Sequence, residues 1–129
     1  MSFVSEGRRH ALWWIASVVF VGATIYLSLA PGSSTPTPSG FDKVQHCLAY
    51  AALMTWFTGF VPRKRHWQFA IALVAMGGLL ELLQAAMQLG RSAEWLDFAA
   101  NGLGVGLGWL FATWLGGSWV LRLEAWVGR

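Results

Sequence analysis

Three stretches of this chain carry side chains whose types and spacing suit chemistry: Asp42, Lys43, His46 and Tyr50 in the first, Glu81 and Gln84 in the second, Arg91, Asp97 and Asn101 in the third. On a helix, Asp42, His46 and Tyr50 stand one turn apart and make a single stripe. A carboxylate one turn from a histidine can select the imidazole tautomer and bring its pKa near neutrality, where it can act as an acid or a base. Glu81 sits among leucines in GGLLELLQAAMQ. It must be kept neutral by desolvation or be paired with a cation, and His46, Lys43, Arg91 or a ligand amine would serve. The alternative is a protonated Glu81 bonded to Tyr50 or Asn101 to hold helices together. Lys43 and Arg91 make a cationic rim suited to a phosphate or carboxylate headgroup, while Arg91 and Asp97 as an exposed ion pair would contribute only about 0–1 kcal/mol. Gln84 and Asn101 read as interhelical hydrogen bonders. If the chain is an enzyme, Glu81, His46 and Asp97 are the acid–base candidates; Ser28 and Ser92 have no base in their local sequence. Asp42, His46 and Glu81 include no second His or Cys to suit zinc, so no metal and no cofactor is expected, with a hard cation left as the alternative.

The elements that must position these groups follow from composition. Of 129 residues, 56% are hydrophobic and 12% charged, against about 25% charged in an ordinary soluble domain. Four stretches, 11–30, 43–61, 68–89 and 97–121, approach the length of about 20 apolar residues that a spanning helix needs. The expected fold is all-α: one domain, a polytopic four-helix transmembrane bundle. With both termini cytoplasmic, seven of the nine basic residues fall inside and only Lys43 and Arg91 outside, a positive-inside pattern. The basic isoelectric point therefore reports topology and attraction to anionic lipid, and no nucleic acid partner is expected. The first apolar stretch is longer than the 7–15 residues usual for a signal-peptide core, and Pro31 would follow the cut, so an uncleaved anchor is expected. The single Cys47 excludes an intramolecular disulfide.

PGSSTPTPSG (31–40) reads as an extended outer linker, RKRH beyond Pro62 as an inner turn and 89–97 as an outer turn. Trp13, Trp14, Trp67, Trp119 and Trp126 are expected to anchor the inner boundary. At a rise of about 1.5 Å per residue, His46 lies about 6 Å and Tyr50 about 12 Å below Asp42, while Gln88, Gln84 and Glu81 descend a neighbouring helix to about 13 Å. Polar groups in lipid cost roughly 2.5–3.5 kcal/mol each, so the three stripes are expected to face one another in an outward-opening pocket. Gly102/Gly106 and Gly104/Gly108 form small-xxx-small pairs in the fourth stretch, which points to close helix packing.

The ordered set Asp42-Lys43-x-x-His46-x-x-x-Tyr50, Glu81-x-x-Gln84 and Arg91-x-x-x-x-x-Asp97-x-x-x-Asn101-x-x-Gly104 resembles the VanZ-like family of small bacterial membrane proteins, over about residues 40 to 108. That family takes its name from a protein associated with resistance to teicoplanin. The resemblance implies a multi-pass protein of the bacterial cytoplasmic (inner) membrane, and leaves its chemistry open. Three functions are compatible with the residues: recognition of an amphiphilic envelope molecule such as a lipid or lipid-linked cell-wall precursor, with an effect on glycopeptide sensitivity; an intramembrane enzyme acting on such a lipid; or a structural accessory subunit. Membrane lipids are the expected partners, and a homo-oligomer is compatible with the pattern.

Overall fold

A computed structural model of the chain describes residues 3–30, 40–87 and 94–128, with side chains of the first helix from Gly7 onward. These residues form α1 (Phe3–Leu29), α2 (Phe41–Phe60), α3 (His66–Met87), α4 (Trp95–Trp114) and α5 (Trp119–Val127), with a short 3-10 turn at Arg63–Arg65 leading into α3. The linker residues 31–39 and the turn residues 88–93, including Gln88, Arg91 and Ser92, lie outside the described set.

Polarity is arranged inside out. Val18, Leu82 and Trp114 are 72%, 67% and 79% exposed, whereas Thr58, Glu81 and Asn101 are 0%, 5% and 1% exposed. Such a surface is unfavourable in water and matched in hydrocarbon, where the apolar face is solvated and polar groups must find partners within the protein. Two helices are long and apolar enough to cross a membrane, Gly7–Leu29 and Arg63–Met87; α4 and α5 supply a third if they count as one span bent by 46°. The sequence expectation of four such spans is not met at α2, whose first turns carry Asp42, Lys43, Gln45 and His46. The reason is its place in the bundle. α2 packs against α1, α3, α4 and α5, and its Leu53, Met54 and Thr58 are fully enclosed. The face of a helix that packs against protein does not need to be apolar.

The most extensive helix pair is α2 with α4. Its closeness comes from glycine: a Cβ at Gly104 would run into the Cys47 carbonyl, and one at Gly108 into the Ala51 carbonyl. Thr55 Oγ1 donates to the Gly108 carbonyl at 3.3 Å across the same seam. The second small pair, Gly102 and Gly106, meets nothing, so only one of the two pairs brings helices together.

The fourth apolar stretch does not run as one helix from 97 to 121. It stops at Trp114, because Gly116, Gly117 and Ser118 adopt left-handed backbone (φ 85°, 61° and 51°) and the Gly117 amide returns to the Ala112 carbonyl at 2.8 Å, a glycine helix stop. Arg122 reaches back from α5 to the Leu115 and Gly117 carbonyls, where a cation suits the negative end of α4.

At this end of the bundle the aromatic residues pack inward. Trp13, Trp56, Phe60 and Trp119 form one ring cluster, and the indoles of Trp13, Trp56 and Trp119 donate to Glu124 Oε1, Ser17 Oγ and the Thr55 carbonyl at 2.8–2.9 Å. Trp13 and Trp119 thus pack within the bundle, while Trp67 and Trp126 stay exposed. His66 is buried, its Nε2–H donating to the Val61 carbonyl at 3.0 Å. At the opposite end Gln84 of α3 donates to the Ser28 carbonyl of α1. The end of α1, the start of α2, the end of α3 and the start of α4 therefore meet at one end of an up-and-down bundle, and that end holds the polar residues.

Candidate functional site

α2 contributes Asp42, Lys43, His46 and Tyr50 from successive turns, α3 contributes Glu81 and Gln84, and α4 contributes Asp97 and Asn101 one turn apart, with Glu94 at its N-cap position. The three polar stripes converge, as their spacing predicts.

Lys43 is the hub of the outer layer. Its Nζ donates to Asp42 Oδ2 at 3.1 Å, Glu94 Oε2 at 2.9 Å and Asp97 Oδ1 at 3.1 Å. The ammonium beside Asp42 holds that carboxyl below the usual carboxylate range. This corrects the reading of Lys43 as a rim awaiting an anion: three carboxylates already share its charge. Arg91, the other half of that rim, lies outside the described residues. Glu94 was missed in the sequence, because an acid in a polar turn does not stand out; its spacing of three from Asp97 was the available signal.

One layer deeper, His46 Nδ1 lies 2.9 Å from Asn101 Oδ1. An amide oxygen only accepts, so Nδ1 carries a proton. Nε2 points towards Asp97 Oδ2 at 4.0 Å. The expected Asp42–His46 pair is therefore replaced by Asn101 and Asp97 acting from α4, since Asp42 turns to Lys43. Asp97 is shared, one oxygen on Lys43 and the other facing His46. Glu81 accepts the Glu94 backbone N–H at 3.4 Å and closes the group: a ligand atom from each of His46, Glu81 and Asp97 lies within 4.8 Å of the others. Tyr50 is 2% exposed, and its hydroxyl is the one buried side-chain polar atom among the described residues without a hydrogen-bond partner.

A cavity of about 470 Å³ opens beside this layer, between α1 and α2, lined by Thr24, Ser28, Gln45, His46, Ala49 and Tyr50 among others. Ser28 thus shares a cavity with His46, a proximity the local sequence did not reveal. Gln84 serves as an interhelical bonder, though to α1, and Asn101 does so to α2.

Replacing Lys43 by Met should leave Asp42, Glu94 and Asp97 facing one another without a cation. The expected result is a lower melting temperature in detergent at pH 7, with the difference from wild type shrinking as the pH falls through the carboxylate range. The sign follows from linkage: a depressed carboxyl pKa contributes stability above its unfolded value and loses it on protonation. A deficit that does not change with pH would mean that Lys43 acts through packing alone.

No family model, curated protein or solved structure matches the chain.

Proposed function

We propose that this chain is a VanZ-like multi-pass protein of the bacterial inner membrane, with both termini cytoplasmic and α1 to α4 as its spans, which recognises an amphiphilic envelope molecule at the outer end of the bundle. The observation that carries this reading is the cavity of about 470 Å³ between α1 and α2, which has the layer of half-buried His46 and buried Glu81, Asp97 and Asn101 beside it. The cavity offers apolar walls for a chain and polar groups for a headgroup, and pockets of this size lie in the range of small-molecule sites, about 300–1,000 Å³. In the proposed topology the site faces the extracytoplasmic leaflet, where a lipid or lipid-linked cell-wall precursor would be met. Altered envelope composition and altered sensitivity to teicoplanin-type glycopeptides are the corresponding cellular outcomes.

An intramembrane enzyme is the second reading, favoured by a histidine beside two buried carboxylates and by Ser28 on the same cavity. The two are separated by comparing lipid and precursor profiles of cells expressing wild type or Glu81→Gln at matched membrane levels: a species that changes only with wild type favours the enzyme.

Ala49→Phe tests recognition directly, because its ring would fill the cavity. Amphiphile co-purifying with the wild-type protein in native mass spectrometry should be lost from the variant, while the detergent melting temperature changes little. Retention of the same amphiphile at the same stoichiometry would move the binding surface elsewhere.

A further inference from the structure

We propose that a second cavity, between α1 and α5 at the end of the bundle opposite the polar layer, holds the headgroup of a phospholipid bearing a primary amine, of the phosphatidylethanolamine type, with its ammonium on Glu124 and its phosphate on Arg9 and His10.

The cavity measures about 370 Å³ and takes Arg9, His10 and Trp13 from α1, Phe60 from the end of α2, and Leu121 and Glu124 from α5. Among the described side chains, this end carries Arg8, Arg9, Arg63, Lys64, Arg65 and Arg122, with Glu124 as its one acid. Glu124 nevertheless pairs with none of these cations. The one partner of its carboxylate among the described residues is the Trp13 indole, which donates to Oε1 at 2.9 Å, and Arg122, two residues away, is turned to the carbonyls at the end of α4. A half-buried carboxylate that lines a cavity and has no ion pair is suited to an ammonium donor from a ligand.

The donors for a phosphate come from α1. Trp14 Nε1–H donates to His10 Nε2 at 3.1 Å, so that nitrogen carries a lone pair and the ring proton is on Nδ1, a donor without a partner among the described residues. Arg9 has an interaction within the chain, and the several N–H groups of its guanidinium can serve a phosphate oxygen as well. The cavity thus offers one carboxylate and a set of donors. A purely anionic headgroup would meet the like charge of Glu124, and a quaternary amine has no N–H to give it. A primary ammonium joined to a phosphodiester matches both.

Depth favours a lipid as the source. α4 has 20 residues, about 30 Å at the helical rise, which is the thickness of a bilayer's hydrocarbon. α5, bent away from α4 by 46°, therefore comes to headgroup level and brings Glu124 with it. Trp13, Phe60 and Leu121 give the cavity an apolar wall for the glycerol and the first methylenes. Polar pockets between helices at this level are a common seat for lipid headgroups.

The test uses the full-length chain in detergent, with native mass spectrometry against titrated phosphatidylethanolamine, phosphatidylcholine and phosphatidylglycerol of matched acyl chains. Phosphatidylethanolamine should bind about tenfold more tightly than phosphatidylcholine, as hydrogen bonds to a charged group imply. Glu124→Gln should remove that preference, because its amide oxygen still accepts from Trp13 but holds no charge for the ammonium. Arg9→Gln should weaken both lipids alike, and is read instead if the Glu124 variant does not accumulate. Equal affinity for the first two lipids in the wild type, tighter binding of phosphatidylglycerol, a preference that survives Glu124→Gln, or affinities unchanged by Arg9→Gln overturns the proposal. Equal binding of soluble phosphoethanolamine would also overturn it, by removing the lipid from the assignment. None of these residues lines the cavity beside the polar layer, so the outcome is separate from that of the amphiphile experiment.

Discussion

Gly104→Val and Gly108→Val are each expected to strip monodisperse protein from detergent extracts, whereas Gly102→Ala and Gly106→Ala leave it intact. The difference lies in what each new side chain meets. At 104 and 108 the obstacle is the backbone of α2 at Cys47 and Ala51, which cannot rotate aside as a flexible side chain would. Overpacking costs about 1–3 kcal/mol even where neighbours can adjust, and here the relief must come from separating the two helices that carry most of the site. His46 and Asn101 lie on those two helices, so their hydrogen bond should be lost with the packing. At 102 and 106 nothing stands within 4 Å, and alanine there gains up to about 1 kcal/mol of helix propensity per position. Fluorescence-detected size-exclusion chromatography of the four variants at equal expression measures this. Equal loss from both pairs would mean that Gly102 and Gly106 are also buried, against a partner outside the chain.

Tyr50→Phe should do the opposite: raise the melting temperature. Removing a buried hydroxyl that has no partner relieves a desolvation penalty of about 1–3 kcal/mol, and the ring keeps its packing against the core around Leu53 and Met54. Melting curves of wild type and variant in the same detergent measure this. A variant less stable than wild type would show that the hydroxyl has a partner, such as a buried water.

How much of this was legible in the sequence depended on contrast. Glu81, Asp97 and Asn101 interrupt apolar runs, so helical spacing and depth alone brought them to one level, and the convergence of α2, α3 and α4 followed. What spacing could not supply was the choice of partner. Asp42 and His46 are one turn apart on one helix, yet Asp42 bonds to Lys43 and the histidine is set by α4, because rotation of neighbouring helices decides which side chains meet. The break after α4 was written in Gly116-Gly117-Ser118, but the apolar residues on either side outweighed it when hydropathy was the guide. Glu94 was hidden for the opposite reason, as a polar residue in polar surroundings.

The polarity of α2 also bears on how the protein enters a bilayer. Asp42, Lys43, Gln45 and His46 build the site and also keep α2 from being apolar enough to partition into lipid unaided. Insertion energies near the helix centre disfavour ionised side chains by about 2.5–3.5 kcal/mol each, with less penalty towards the ends. In the proposed topology this implies that α2 enters with the help of α1 or α3, which are apolar enough to go in by themselves. Site and topology would then form in a single event, with the polar layer shielded from lipid from the moment it enters the membrane.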